Sequence, residues 1–343
     1  MLALAMNAVT LAMVSPAANP LTIPSHPERS LDVQFFYTAS ISSIPKGTKR
    51  LRLWIPVPSS SEWQAVGSIQ VQSDLPYHIT KEKQYRNRMV YLEVENPSKP
   101  ISVTVRFAVR RKEVLLLASK ETLTDSSDPL DKDIFLQPNQ LIPVGGLYLS
   151  MAREVVGERA SPLEQARALY DHIIATMEYD YTKASPKLGM GDVAFVCDYR
   201  KGNCSDLHSY FISLARSLGI PATIEYGFPI VGVPVPDNLP QEGTIGGYHC
   251  WAWFYVPNYG WLPLDASDAR RWQDAKIPAK VDFLFGNLVL ERSAVTISKG
   301  RDVILEPKQD GPPLNYFVYP YAEMDGKPIN PKWEMRFRLL KSP

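Results

Sequence analysis

The sequence predicts an α+β protein in which strand-rich regions lie on both sides of a region that mixes helix and strand. Between residues 28 and 118, short β-branched and aromatic runs alternate with Pro, Gly, Asn and Ser, which is typical of antiparallel sheets. Further along, apolar residues recur at steps of three and four, the period of a helix that buries one face. A chain of 343 residues exceeds the usual size of a single hydrophobic core, so we expect two or three structural units.

The first segment, residues 1–19, is apolar, rich in small side chains and ends in Ser15-Pro16-Ala17-Ala18. This pattern predicts a signal peptide with cleavage after Ala17, and therefore a periplasmic or secreted protein. No Lys or Arg precedes the apolar stretch, so a disordered tail and a cytoplasmic protein stay open as the alternative. No later stretch reaches the roughly 20 apolar residues of a membrane-spanning helix, and we expect no membrane span.

An antiparallel β-sandwich is predicted at residues 28–118. Its expected strands, each bounded by turn-forming residues, are 31–40, 49–55, 68–71, 89–94 and 101–111. Residues 119–159 are predicted to be a connector that includes a helix between Gly145 and Gly157. A β-rich C-terminal extension is expected at residues 276–343, where aromatic and β-branched runs return. Its strands are expected either to extend the central sheet or to cover its cleft.

A helix is predicted to begin at Cys204, because this residue and the apolar positions 207, 211, 214 and 218 share one helical face. The thiol then lies in the first turn, where unpaired N–H groups and the positive end of the helix dipole stabilise a thiolate and can hold an oxyanion. Asp206 is interpreted as an acidic residue favoured in that turn. Gly219 is suited to end the helix, and a strand is expected at residues 222–228.

A second strand of this region is predicted at residues 247–256, which are aromatic and β-branched and contain no proline. The chain then turns and runs back to Asp265. A four-residue loop would place Asp265 opposite Ala252, on the wrong face for His249. An odd-length loop places Asp265 opposite Trp251, diagonal to His249 and within side-chain reach. A functional Cys, His and Asp set therefore predicts a particular strand register.

The segments GNCSDLHSYFISLARSLGIPA and YHCWAWFYVPNYGWLPLDAS resemble the core of the transglutaminase-like superfamily. The resemblance implies a papain-like catalytic domain, predicted at residues 160–275, with the cysteine on a helix and the histidine and aspartate on adjacent strands. It further implies that Cys204 is the nucleophile, that His249 is the general base and acid, and that Asp265 orients the imidazole. The family includes transglutaminases, peptide amidases, peptidases and inactive scaffolds, so it indicates a chemistry rather than a substrate.

The chemistry implied is acyl transfer through a thioester on Cys204, with a peptide, protein or carboxamide as the substrate. Because the chain contains no calcium-type loop such as DxDxDG, we expect amide or peptide hydrolysis rather than transfer to an amine. A protein-glutamine transglutaminase is one alternative. A non-catalytic binding module that retains the fold is the other, and it predicts an unreactive Cys204 or a misaligned triad.

Further residues are candidates for roles around the predicted triad. Tyr181, or Tyr179 beside it, is a candidate oxyanion donor, although ordinary buried tyrosines are more common. Trp251 and Trp253 are candidate walls of a substrate cleft, although alternating aromatic residues more often pack within a sheet. His208 lies one turn beyond Cys204, and we interpret it as a packing or supporting residue rather than the base.

Composition and spacing argue against several other functions. Lys plus Arg number 37 against 36 Asp plus Glu, and this balance predicts no nucleic-acid partner. The chain contains no CxxC pair and no HExxH motif, so we expect neither a metal nor a cofactor. If the protein is exported, Cys197 and Cys250 are candidates for a disulfide, because a catalytic Cys204 must stay unpaired. The oligomeric state has no signature in the sequence.

Overall fold

The computed structural model describes residues 29–117, 132–182 and 184–341. The predicted signal peptide at residues 1–19 lies outside the described residues, as does the first part of the predicted connector. The described ranges combine helices with several antiparallel sheets, and the predicted α+β class is confirmed. None of the described helices has both the length and the apolar character that crossing a bilayer requires.

The secondary-structure elements of the described ranges are numbered in chain order. The helices are α1 Gly146–Val156, α2 Pro162–Thr176, α3 Val193–Tyr199, α4 Cys204–Ser217, α5 Ala266–Asp274 and α6 Pro278–Phe283. The strands are β1 Ser30–Ile41, β2 Arg50–Val57, β3 Gln64–Val66, β4 Gln70–Gln72, β5 His78–Lys81, β6 Arg88–Glu95, β7 Ile101–Lys112, β8 Val114–Leu115, β9 Glu178–Tyr179, β10 Lys201–Gly202, β11 Ala222–Phe228, β12 Glu242–Ile245, β13 His249–Val256, β14 Gly260–Leu264, β15 Asn287–Leu288, β16 Val295–Lys299, β17 Tyr321–Met324, β18 Lys327–Ile329 and β19 Lys332–Lys341. The helix and strand predicted around Cys204 are confirmed as α4 and β11.

Two antiparallel sheets form the β-sandwich. One has the strand order β12-β19-β1-β7-β3, with β4 also paired to β7, and the other has the order β18-β17-β2-β6-β5. In β1 and β7 every second residue is buried, which is the pattern of a strand with one face on a core. Phe35 of β1 and Leu53 of β2 are fully buried, so each of the two sheets contributes residues to the hydrophobic core.

Strands from later in the chain complete this sandwich. β19 pairs with β1, and β17 pairs with β2, so the C-terminal strands contribute to both sheets. β12 pairs with β19 and comes only a few residues before β13. The segment that leads into His249 is therefore anchored to the sandwich by backbone hydrogen bonds.

The central unit consists of the sheet β14-β13-β11-β16 and the helices that pack on it. α4 lies against β13 and β11, and α1, α2, α3 and α5 pack around it. Every residue of α4 from Cys204 to Arg216 is consequently buried, whereas the sequence predicts only one buried face. Buried polar side chains on the other faces make hydrogen bonds: Ser213 donates to the Pro143 carbonyl and Arg216 donates to the Ala222 carbonyl.

Candidate active site

Cys204 is the first residue of α4, and a capping box fixes the start of this helix. The Asn203 side chain accepts a hydrogen bond from the Ser205 N–H at 3.2 Å. The Asp206 carboxylate accepts one from the Asn203 N–H at 2.9 Å, which closes the box. No acceptor among the described residues takes up the Cys204 N–H, so a backbone donor remains beside the thiol.

The loop before α4 is tied to the helix start by the same carboxylate. Asp206 accepts hydrogen bonds from the N–H groups of Gly189 and Gly191, at 2.7 and 2.8 Å. A Cβ at Gly202 would lie 2.4 Å from the Cβ of Asp206, so only glycine fits at that position. Asp206 is therefore the first-turn acid that the sequence indicates, and it also holds the loop in place.

β13 and β14 pair in the register that the sequence predicts for a functional set. Ala252 pairs with Leu264 across an odd-length loop. Continued by one residue, this register places Asp265 opposite Trp251, on the same face as His249. The Nε2 atom of His249 lies 2.6 Å from Oδ2 of Asp265.

Asp265 follows β14 directly and caps the N-terminus of α5, a helix that the sequence patterns did not indicate. Its Oδ1 atom accepts hydrogen bonds from the Asp268 N–H at 2.9 Å and from the Ser267 hydroxyl at 3.1 Å. The same oxygen lies 3.4 Å from Nε2 of His208. Because both oxygens have partners, the carboxylate has a fixed orientation toward His249.

Two carboxylates hold the proton on His249. Burial disfavours the imidazolium, but Asp265 and Asp268 outweigh it and raise the pKa of His249 to about 10. Burial likewise opposes the charge on Asp265, yet His249 and His208 hold the pKa of Asp265 well below its usual value. Because Nε2 of His249 is bonded to Asp265, Nδ1 is the nitrogen left for the thiol.

The Cys204 thiol is displaced toward the thiolate. A hydrogen bond with Cys250 is the largest influence, and it lowers the pKa of Cys204 well below its usual value in spite of burial. A hydrogen bond with His249 and the positive charge of His249 act in the same direction. The lowered pKa of Cys204 and the raised pKa of His249 together describe a thiolate–imidazolium pair.

A second thiol and a second imidazole lie behind this pair. Sγ of Cys250 lies 3.6 Å from Nδ1 of His208 and 3.8 Å from the Ser205 hydroxyl. Burial and the neighbouring Cys204 raise the pKa of Cys250 well above its usual value. His208, interpreted from the sequence as a packing or supporting residue, is fully buried and contacts both Cys250 and Asp265.

The disulfide hypothesis for Cys197 and Cys250 is contradicted, because all three cysteines are free. Cys197 belongs to α3, where its Sγ lies 3.8 Å from the sulfur of Met151. Cys250 lies on β13, beside Cys204 at the start of α4. The two sulfurs thus have separate surroundings, which the spacing of cysteines along the chain does not reveal.

A cavity of about 360 Å³ opens onto both Cys204 and His249. Tyr179, Arg271 and Arg292 contribute side chains to its wall. The wall is completed by the segment 229–232, which follows β11, and by the segment 244–248, which leads from the end of β12 to β13. A larger cavity of about 710 Å³ lies elsewhere and includes neither Cys204 nor His249. The reactive groups, not the volume, therefore identify the smaller cavity as the candidate site.

Three of the predicted accessory residues are not part of this cavity wall. Tyr181 is 63% exposed, and its ring packs on Tyr179, which does line the cavity. The oxyanion role predicted for Tyr181 therefore fits Tyr179 better. Trp251 and Trp253 are buried in the sheet, and Trp251 donates a hydrogen bond to Glu225 at 3.1 Å. The cleft-wall prediction for these two residues is corrected to sheet packing.

His249, Asp265 and Asp268 bring ligand-type atoms within 4.8 Å of one another. Arg292 enters the same cluster, with Nε 2.6 Å from Oδ2 of Asp268 and Nη2 3.1 Å from Oδ1. A guanidinium that binds both oxygens of Asp268 takes the place that a metal cation would need. The cluster therefore fits an ion-pair network around His249 better than a metal site.

Comparison with known proteins agrees with this geometry. Residues 149–266 match the family model of the transglutaminase-like superfamily. These residues form a transglutaminase-like core. An uncharacterised protein of Haemophilus influenzae is 27% identical over 316 residues, which cover 84% of each chain. A crystal structure of a candidate cysteine protease from Cytophaga hutchinsonii aligns with a TM-score of 0.55 and 17% identity over 92% of each chain, a likeness of fold.

Several groups around the transglutaminase-like core were not indicated by the sequence patterns. Cys250 directly follows His249, so strand alternation alone assigns it to the opposite face. The run Asp265-Ala266-Ser267-Asp268 has the spacing of a helix cap followed by a first-turn acid, and this is the local signal from which α5 and Asp268 could have been found. Arg292 lies outside the matched segment and carries no local signal.

Proposed function

We propose that this protein is a thiol-dependent hydrolase of amide or peptide bonds that acts through a thioester on Cys204. The observation that carries the proposal is the arrangement of Cys204 and His249 on one cavity, with pKa values displaced toward a thiolate and an imidazolium. The transglutaminase-like core supports the same class of chemistry.

In the proposed reaction, the Cys204 thiolate attacks the carbonyl carbon of the amide. The resulting oxyanion accepts hydrogen bonds from the Cys204 N–H and from the Tyr179 hydroxyl, which stays protonated because burial raises the pKa of Tyr179. His249 gives its proton to the amine nitrogen, the C–N bond breaks and the amine leaves behind a thioester. Water then gives a proton to His249 and attacks the thioester, and cleavage of the C–S bond restores the thiolate and releases the acid.

Asp265 and the Asp268–Arg292 pair position His249 in this scheme. Asp265 fixes the imidazole through Nε2 and favours its charged form. Asp268 adds negative charge at 3.5 Å from the same nitrogen, and Arg292 holds that carboxylate in place. Neither group needs to exchange a proton with the substrate.

The cavity favours water over an amine as the acyl acceptor. An amine donor such as a lysine side chain is positively charged until it is deprotonated, and Arg271 already places a positive charge on the cavity wall, whereas the charge of Arg292 is paired with Asp268. Like charges repel within a small cavity, so the approach of an ammonium group is disfavoured. This observation supports hydrolysis over transamidation.

The pH dependence of Cys204 alkylation by iodoacetamide tests the proposal, with peptide mapping to separate the three cysteines. We expect half-maximal labelling at a pH well below the value of about 8.5 for a free thiol, and a shift to higher pH in His249→Ala. Cys197 in the same protein and N-acetylcysteine serve as reference thiols. Labelling of Cys204 that resembles the free thiol and ignores His249→Ala would overturn the proposal and favour a non-catalytic module.

Product analysis then separates hydrolysis from amine transfer. The protein is incubated with denatured casein and methylamine in ¹⁸O-labelled water, with Cys204→Ala as the blank. We expect new carboxyl groups that carry the heavy oxygen. A predominance of methylamides would show that the thioester passes to amines and would contradict the preference for water.

A further inference from the structure

Arg271 reaches the candidate active-site cavity from α5, the helix that Asp265 caps. Its side chain lines the same wall as Cys204 and His249 and lies over the Tyr179 ring, 5.1 Å from the ring centroid. Its Nε atom is buried and has no hydrogen-bond partner among the described residues. The side chain keeps 18% of its surface exposed, so a bound molecule can reach it.

The charge of Arg271 is poorly compensated, in contrast to that of Arg292. Arg292 binds both oxygens of Asp268 and donates a third hydrogen bond to the Val231 carbonyl at 2.7 Å. Arg271 has only a long contact of 3.3 Å with the Oδ1 atom of Asp268. Asp268 is already paired with Arg292 and Asp265 with His249, and no Asp or Glu lines this cavity among the described residues.

We propose that Arg271 binds a carboxylate of the substrate beside the carbonyl group that Cys204 attacks. The inference rests on the proposed function and deepens it, because it names acidic amides or acidic peptides as the substrate class. Guanidinium is the side-chain group best matched to a carboxylate, since it offers parallel N–H donors. The carboxylate belongs either to an acidic side chain or to the C-terminus of a peptide, and both present the same chemistry to Arg271.

Two alkylating reagents that differ in charge test this inference without a known substrate. Iodoacetate and iodoacetamide are nearly equal in size and react with the same thiolate. The ratio of their rates at Cys204 therefore cancels differences in thiolate content and reports the preference of the cavity for a carboxylate. Peptide mapping again isolates Cys204 from the other two cysteines.

Variants of two adjacent arginines make the comparison specific. Arg271→Gln is expected to lower the iodoacetate to iodoacetamide ratio about three- to tenfold, and Arg271→Lys to retain most of the ratio. Arg270→Gln is the matched control, because Arg270 lies one residue away but bonds to the Ile174 carbonyl and to Asp274 rather than lining the cavity. Its ratio should stay within about twofold of the wild type.

The source of the carboxylate is assigned by protection of Cys204 from iodoacetamide with three short peptides. One peptide carries a glutamate and an amidated C-terminus, one carries glutamine and a free C-terminus, and one carries glutamine and an amidated C-terminus. If the glutamate peptide protects Cys204 better, the carboxylate is that of a side chain. If the peptide with the free C-terminus protects better, the carboxylate is that of the chain end. Equal protection by all three, an unchanged ratio in Arg271→Gln, or an equal loss in Arg270→Gln would overturn the inference.

Failure of this inference is distinguishable from failure of the proposed function. Slow iodoacetamide labelling that ignores His249→Ala removes the thioester mechanism, whereas the change in the charge ratio between Arg271→Gln and Arg270→Gln addresses Arg271 alone. If Arg271→Gln does not fold, the ratio in His249→Ala, which lacks the neighbouring imidazolium, is compared with that of N-acetylcysteinamide, a free thiol without a carboxylate. We expect a value at least about threefold above the free thiol, and a value at or below it would overturn the inference.

Discussion

Two thiol–imidazole pairs lie on opposite sides of one carboxylate in this protein. Cys204 and His249 form the first pair, and Cys250 and His208 form the second. Asp265 contacts both imidazoles, His249 through Oδ2 at 2.6 Å and His208 through Oδ1 at 3.4 Å. A cysteine and a histidine thus occur twice around one aspartate: Cys250 lies 3.6 Å from Nδ1 of His208, and Cys204 lines one cavity with His249.

The two pairs differ in access and in charge rather than in composition. Cys204 lines a cavity at the first turn of a helix, and its neighbours lower the pKa of its thiol. Cys250 is fully buried in β13, and burial raises the pKa of its thiol. The contacts of Cys250 are with buried groups, Nδ1 of His208 at 3.6 Å and the Ser205 hydroxyl at 3.8 Å. In the proposed mechanism, therefore, Cys204 is the nucleophile because of its access and its lowered pKa, and Cys250 and His208 are its buried support.

The largest expected contrast is between removal of the two thiols. Cys204→Ala should abolish amide hydrolysis, a loss of at least about 10⁴-fold, because the thioester cannot form. Cys250→Ala should reduce activity by less than about tenfold, because the nucleophile and its histidine remain. The measurement is the steady-state rate on an amide substrate, and near-equal losses would mean that the two pairs do not have separate roles.

The next largest effect is expected at the carboxylate that both pairs share. Asp265→Asn should lower the hydrolysis rate by about 10²- to 10⁴-fold, because the neutral asparagine side chain neither fixes the orientation of His249 nor favours its protonated form. It should also lower the free energy of unfolding by about 3–5 kcal/mol, because it leaves buried charge without its partner. Asp274→Asn, on the same helix, is the control for losing a carboxylate from α5.

Asp274 pairs with Arg270 near the surface, so its replacement should cost less than about 1 kcal/mol and leave the rate unchanged. Denaturant unfolding and initial rates are measured on the same preparations. Full activity in Asp265→Asn would remove Asp265 from the mechanism and leave it a purely structural cap of α5.

A pH profile sharpens the comparison between the pairs. Activity should rise through the lowered pKa of Cys204 and fall near pH 10, where His249 loses the proton that it gives to the leaving amine. Cys250→Ala removes the strongest influence on Cys204 and should therefore move the rising limb to higher pH without moving the falling limb. A rising limb that stays in place would show that Cys250 does not stabilise the thiolate.

The pairing of Cys204 with His249 was predictable from the sequence, and the pairing of Cys250 with His208 was not. A cysteine at a helix start, a histidine on a strand and an aspartate at a required register leave few arrangements, and the register of β13 and β14 is the predicted one. The role of Cys250 depends on the close packing of α4 against β13, which brings together residues about 40 positions apart. No periodicity along the chain encodes such a contact.

The predictions for the tyrosine near the triad and for the faces of α4 were less accurate for a related reason. Tyr179 and Tyr181 differ in the structure by whether they face the cavity or the solvent, and a strand of only two residues has no pattern that decides this. The sequence also predicts one apolar face for α4, whereas the helices around it bury all of its faces. Burial from several directions is a tertiary effect, and local propensity does not report it.

The smallest effect is expected at Tyr248, and it tests whether the hydrogen bonds around Cys250 also influence the pKa of Cys204. The Tyr248 hydroxyl lies 2.7 Å from the Ser205 hydroxyl, which in turn contacts Cys250 at 3.8 Å. Tyr248→Phe keeps the ring in the cavity wall and removes this hydrogen bond, so the free energy of unfolding should fall by about 1 kcal/mol. The pH of half-maximal Cys204 labelling should move by less than about 0.3 units, because a neutral hydroxyl adds no charge beside the thiolate. A shift as large as that of Cys250→Ala would mean that Ser205 and Tyr248 act on Cys204 through Cys250, and that the two pairs form one hydrogen-bonded unit.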